Sequence, residues 1–183
     1  MTRSPDSPRS PLQAGTASLP LPVTADGGTG AWPLSRPLLE LILADRTSDR
    51  FVCERIWERL GYRPGGDQPL DPWVAGPGTP PAWAEAYPQA PALVAERPAS
   101  VALTRSIPAP FKLLLKEQLG FTGYRIGELY PRRTRRATAV SWLLAWLALA
   151  GLELLEQGPL PEPLAPPEDP VAGHGEDRVP SPL

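Results

Sequence analysis

Apolar positions recur at helical spacing in several separate stretches of the chain and are densest in one long segment near its end. Ser35 is placed to cap a first helix, with Pro37 in its opening turn, and the run PLLELILAD continues to about Arg46. Leu38, Leu39, Leu41, Ile42 and Leu43 nearly encircle it, so it needs neighbours on more than one side. Thr47 and Ser48 offer a second cap, with Asp49 in the favourable first turn. DRFVCERIWERLG then sets Val52, Cys53, Ile56 and Leu60 on one stripe, with Gly61 as a left-handed stop. So short a connection predicts an αα-hairpin. Cys53 on that stripe reads as a small core residue.

The pattern then lapses. Residues 63–92 are rich in Pro and Gly, with Trp73 and Trp83 and room for a short helix at 82–86. Large aromatics in such a loop fold back on the core, since burying each is worth roughly 1.5–3 kcal/mol or more. A docking groove for a partner is the alternative use of those rings. Over 96–108, ERPASVALTRSIP, the alternation of Val101, Leu103 and Ile107 predicts an extended segment, although Pro98 equally suits the start of a short helix. Pro110 opens a clearer helix, PFKLLLKEQL, with Phe111, Leu114, Leu115 and Leu119 inward and Lys112 and Lys116 outward. Gly120 closes it and Phe121 packs back on its last turn.

From Ile126 the pattern resembles a helix-turn-helix, with a short IGEL segment, a turn holding Pro131, and a helix whose Ala137, Val140, Leu143, Leu144 and Leu147 face the core. The interval is about two residues longer than that motif usually has. Arg132, Arg133, Arg135 and Arg136 crowd the start of this helix. A helix N-terminus carries about half a positive charge, and each cation there loses on the order of 0.3–1 kcal/mol unless an anion answers it. Helical angles put Arg132, Arg135 and Arg136 on one side, with Arg133 swung outward. The anion is then an external phosphate or acidic protein surface, or an internal carboxylate such as Glu128, Glu117, Glu96 or the acidic tail.

Proline and charge set the boundaries. Of 27 prolines, six lie in 1–34, eight in 64–91 and eight in 159–183. This divides the chain into a disordered tail at 1–34, one helical domain at 35–158 with a Pro/Gly loop at 64–91, and a second disordered, acidic tail at 159–183. The domain carries a net +2 and the second tail a net −4, so the overall −2 hides a mildly basic domain. The fold class is mainly α: a small helical domain with a helix-turn-helix-like C-terminal part and room for one or two short strands.

Several chemistries find no residues to carry them. One cysteine excludes an intramolecular disulfide and a multi-cysteine metal site, and the sole histidine, His174, lies in the second tail. No Ser/His or Cys/His pair is therefore assembled within 35–158, and Glu96, Glu128 and Tyr124 are left as weak catalytic candidates. GGTG at 27–30 has neither a preceding strand nor a following lysine, so it fails as a phosphate loop. Trp142 to Leu152 is an unbroken run of eleven apolar or glycine residues, short of the roughly 20 that span a bilayer.

The stretches ERPASVALTRSIP, LLKEQLGF and GYRIGELYPRRTRRATAVSWLLAWL resemble a family of small uncharacterised proteins of cyanobacteria and plastids, catalogued as a domain of unknown function. The resemblance covers about 35–155 and implies a cyanobacterial-type cytoplasm or plastid stroma. It supplies no activity. The expectation is a soluble, non-enzymatic binding protein, with no cofactor or metal, whose arginine-rich helix start engages nucleic acid. Arg132, Arg133, Arg135 and Arg136 with Thr134 and Thr138 would form the contact, and Arg97, Arg105, Arg125, Lys112 and Lys116 would extend it. The alternative is a protein-interaction or assembly factor whose cluster binds an acidic partner or serves as a structural salt-bridge hub.

Overall fold

The structure is a computed structural model that describes residues 30–174. The described residues form six α-helices, the first five arranged around the last and longest: α1 (Arg36–Leu43), α2 (Asp49–Arg59), α3 (Pro81–Ala86), α4 (Arg97–Ser106), α5 (Leu114–Leu119) and α6 (Pro131–Leu149). A two-stranded antiparallel ribbon, β1 (Tyr62–Pro64) with β2 (Trp73–Ala75), follows α2 and pairs Tyr62 with Ala75. Helix α6 packs against α1, α2, α4 and α5, and its Val140, Trp142, Leu143, Leu144 and Ala145 are completely buried. The hydrophobic run read from the sequence is thus the hub of a layer of short helices. No helix among the described residues is long and apolar enough to cross a membrane.

The local signals of α1 and α2 act as their chemistry dictates. Ser35 Oγ accepts from the Leu38 amide and Ser48 Oγ from the Phe51 amide, capping α1 and α2. Gly61 and Gly120 take positive φ angles of 80° and 64° at the ends of α2 and α5. At Gly61 the constraint is also steric, since a Cβ there would lie 2.4 Å from the Gly78 backbone. Trp83 is buried, with its ring centroid 5.7 Å from that of Tyr87, while Trp73 packs on Trp57, whose indole donates to the Pro91 carbonyl at 2.9 Å. The loop tryptophans cover the core.

Four expectations need correction. The segment around 96–108 is helical rather than extended: the four-residue spacing of Leu103 and Ile107 suits one helix face as well as alternate strand positions, and Val101, two residues before Leu103, falls on the opposite side and is exposed. The lysine helix is broken, a 3₁₀ turn at Ala109–Phe111 giving way to a six-residue α5, with Leu113 exposed between them. The first helix of the supposed helix-turn-helix is only a 3₁₀ turn, Ile126–Glu128; it holds no buried residue and exposes Ile126 almost fully, at 97%. Finally, residues 159–174 are not a separate tail, because Leu164 and His174 hydrogen-bond to Arg46 and Asp45. Residues 30–34 are likewise engaged, with Leu34 buried. The remaining tail assignments, 1–29 and 175–183, lie outside the described residues.

Candidate functional site

Helix α6 begins with an electrostatic fault. Tyr130 gives it no side-chain cap, no acid stands in its first turn, and Arg132 and Arg133 stand there instead. The counter-charge comes from the turn joining α1 to α2. Arg132 grips Asp45 with both terminal nitrogens, Nη1 to Oδ2 at 2.7 Å and Nη2 to Oδ1 at 2.6 Å, and reaches Asp49 Oδ2 through Nε at 2.6 Å. One turn further on, Arg136 donates to Asp49 Oδ1 at 2.5 Å, to the Ile42 carbonyl at 3.0 Å, and to the Thr47 carbonyl and hydroxyl at 2.9 and 2.6 Å. Arg133 adds a bond from Nε to Asp45 Oδ2 at 3.1 Å and lies over the Tyr130 ring.

Burial decides what this cluster can do. Arg136 is 0% exposed, Arg132 4% and Asp45 1%, so a charge here must find its partner inside the chain. Burial pushes the Asp45 carboxyl up, but the hydrogen bonds of Arg132 and Arg133 and the charge of Arg136 outweigh it and hold the group below its ordinary 3.8. The two carboxylates likewise raise Arg132 above its ordinary value against the opposing effect of burial. Asp45 takes a left-handed backbone, φ 59°, which aspartate tolerates better than most residues. Tyr124 braces the same corner by donating to the Leu43 carbonyl at 2.9 Å, and burial pushes its hydroxyl up to about 12.

The structure therefore brings three of the four predicted arginines together, on carboxylates the sequence reading did not select. Arg135, expected on their side, turns away and donates through Nε to the Val94 carbonyl. Arg133, expected to swing outward, joins Asp45. Thr134 and Thr138 bond back to the carbonyls of Tyr130 and Thr134 at 3.2 Å each, within the helix. Arg97 and Arg105 are exposed on α4, Lys112 and Lys116 around α5, and Arg125 before the 3₁₀ turn, apart from the cluster. Asp45, Asp49 and Thr47 are the missed partners. Their signal was the acid-rich turn LADRTSD, in which Asp49 serves the N-termini of two helices at once, its own α2 and α6.

A second ionic group lies on α2. Arg55 bonds Glu58 through Nε and Nη2 at 3.1 and 2.8 Å, Arg59 reaches Glu58 at 3.3 Å, and their guanidiniums lie over Phe51 and Trp146 at 4.2 and 5.0 Å. Burial raises Glu58 above its ordinary 4.5 and, with the charge of Arg55, pulls Arg59 down to about 10. No group of three or more His, Cys, Asp or Glu among the described residues is placed to hold a metal ion.

Fold and cluster together define a small α-helical domain cross-braced by a buried arginine–carboxylate hub. The profile of a domain of unknown function, DUF1823, matches residues 33–148, and the chain belongs to that family. A structure described only as the solution NMR structure of the protein is 48% identical, covering 62% of this chain and 92% of that one, with a TM-score of 0.52. No curated protein matches.

Proposed function

We propose that this chain is a non-enzymatic protein-interaction module in which the arginine cluster is a structural hub and the contact surface lies on the adjoining 3₁₀ turn. The observation that carries this reading is the contrast across one corner of the molecule. Behind the turn, Arg132 and Arg136 are sealed on Asp45 and Asp49; at its tip, Ile126 is 97% exposed and Leu129 57%. Phosphate contacts need guanidiniums that water can reach, and the hub offers few. An aliphatic side chain standing in solvent, on a turn tied to α6 by the bond from Arg133 Nη1 to the Glu128 carbonyl at 3.3 Å, suits the anchor of a protein interface.

The test pairs two measurements on the full chain. Ile126→Asp combined with Leu129→Ser should leave stability within about 0.5 kcal/mol, as surface changes do. It should nevertheless abolish retention of a partner first captured on the wild-type chain and then purified. Duplex DNA or single-stranded RNA bound at low salt, with an affinity that falls steeply as salt is raised, would instead establish the nucleic-acid reading.

A further inference from the structure

Beyond α6 the chain turns back and runs across the domain from Leu152 to His174 without helix or strand. Among the described residues none after Leu147 is fully buried, and of this strap only Leu154 packs, partly buried, against the core. It is held mainly through its backbone. Leu155 accepts from the Arg36 amide at 2.8 Å and donates to the Leu34 carbonyl at 3.3 Å. Pro159 accepts from the Trp32 indole at 3.0 Å. Leu164 donates to the Arg46 carbonyl at 2.9 Å and accepts from Arg46 Nε at 3.1 Å. Pro170 accepts from Arg132 Nη1 at 3.4 Å, and His174 Nε2 donates to the Asp45 carbonyl at 3.0 Å.

The chemistry of this seating is that of a bound peptide. Proline-rich segments are extended in advance and poor in donors, so what recognises them is an indole or guanidinium N–H aimed at their carbonyls. Trp32 and Arg132 make that contact to Pro159 and Pro170, and Arg46 makes it to Leu164. The strap carries Glu153, Glu156, Glu162, Glu168 and Asp169 with no lysine or arginine; beneath it Arg36 pairs with Glu156 at 3.2 Å and Arg46 adds a second cation, while the charge of Arg132 at the far end is already answered by Asp45 and Asp49. Open clefts of about 440 and 420 Å³ lie at its two ends, so it is not packed as a core element is. The family match ends at residue 148, before the strap begins.

We infer that this track, from Trp32 past Arg46 to the hub, is a docking site for an extended, acidic, proline-rich segment of a partner protein, and that residues 152–174 occupy it in cis. The inference rests on the interaction role proposed above and names the chemistry of a partner. Occupation in cis lowers the apparent affinity for any outside segment in proportion to the fraction of time the strap is released.

The test compares the full chain with its double variant Leu164→Pro, Gly173→Val. The first change removes the N–H held by Arg46. The second puts a Cβ 2.5 Å from Arg132 Nε on a backbone at φ +82°. The probe is a fluorescent synthetic peptide of residues 152–174. It should bind the double variant one to one, about tenfold or more tighter than the wild-type chain. Adding Arg46→Ala, or using a peptide with its acids changed to glutamine, should weaken that binding, and circular dichroism should show the variant still folded. Equal binding to both chains, or no binding to the folded variant, would overturn the inference. Loss of the tryptophan near-ultraviolet signature would also overturn it, by making the strap part of the fold, as would dimers formed by exchanged straps, whose occupant is a second copy. The Ile126 experiment reads a different surface, so the two proposals fail separately.

Discussion

Asp45 shows how much a single side chain carries in this protein. It accepts from Arg132 and Arg133 and lies 3.5 Å from Arg136 Nε while only 1% exposed, and with Asp49 it opposes three guanidiniums with two carboxylates. Asp45→Asn preserves its shape but leaves buried cations short of counter-charge, a change that costs about 3–5 kcal/mol where one partner of a buried pair is removed. The pH dependence has a definite sign. Because its folded value lies below 3.8, the Asp45 contribution is fully present above 3.8 and is lost as pH falls through the folded value. Glu58 acts oppositely: its folded value lies above 4.5, so its contribution is greatest in acid and declines as pH rises through that value. Urea denaturation from neutral to strongly acid pH should therefore show the wild type losing stability at the acid end, and Asp45→Asn losing less of it. Equal acid slopes in the two chains would locate the acid sensitivity elsewhere.

At the scale of elements, the far half of α6, beyond the arginine hub, is tied to α4 by a polar contact between buried side chains. Trp142, 0% exposed, donates from its indole to Ser106 Oγ at 2.9 Å, and the Ser106 hydroxyl in turn donates to the Leu103 carbonyl at 2.7 Å, which ties α6 to the end of α4. Trp142→Phe and Ser106→Ala should each cost about 1–3 kcal/mol, through a lost hydrogen bond and, for the tryptophan, lost volume. Their double variant should cost less than the sum, because both remove the same bond; additive losses in chemical denaturation would remove this link. The elements legible in the sequence were those whose apolar stripe and caps agree, namely α1, α2 and α6. Helix α4 was misread because Leu103 and Ile107 fit either period, and only the exposure of Val101 separates them. The hub was half legible. Four arginines at a helix start announced a missing anion, but Asp45 and Asp49 lie some 85 positions away, 83 for the Arg132–Asp49 bond, and local pattern carries no information across that distance.

Taken as a whole molecule, the chain has a rigid part and an applied part, and composition misplaced the boundary between them. Proline richness and acidity marked 159–183 as a tail, which is correct about what the segment lacks, since it buries no large side chain among the described residues. It missed what a proline-rich segment still offers, carbonyls for donors, of Pro159 to Trp32, of Leu164 to Arg46 and of Pro170 to Arg132. Stability should follow that division, because amides open locally where few apolar contacts oppose opening and globally where the core must break. The amides of Leu155 and Leu164 are held by the carbonyls of Leu34 and Arg46, with no buried side chain behind them. Those of Val140 and Leu143 lie in the centre of α6. In native-state hydrogen exchange, Leu155 and Leu164 should exchange orders of magnitude faster than Val140 and Leu143, and they should be insensitive to a substitution such as Trp142→Phe that lowers global stability. Protection at Leu164 equal to that at Val140, falling in step with it in the variant, would place the strap in the same cooperative unit as the helices and leave no released state for a partner to meet.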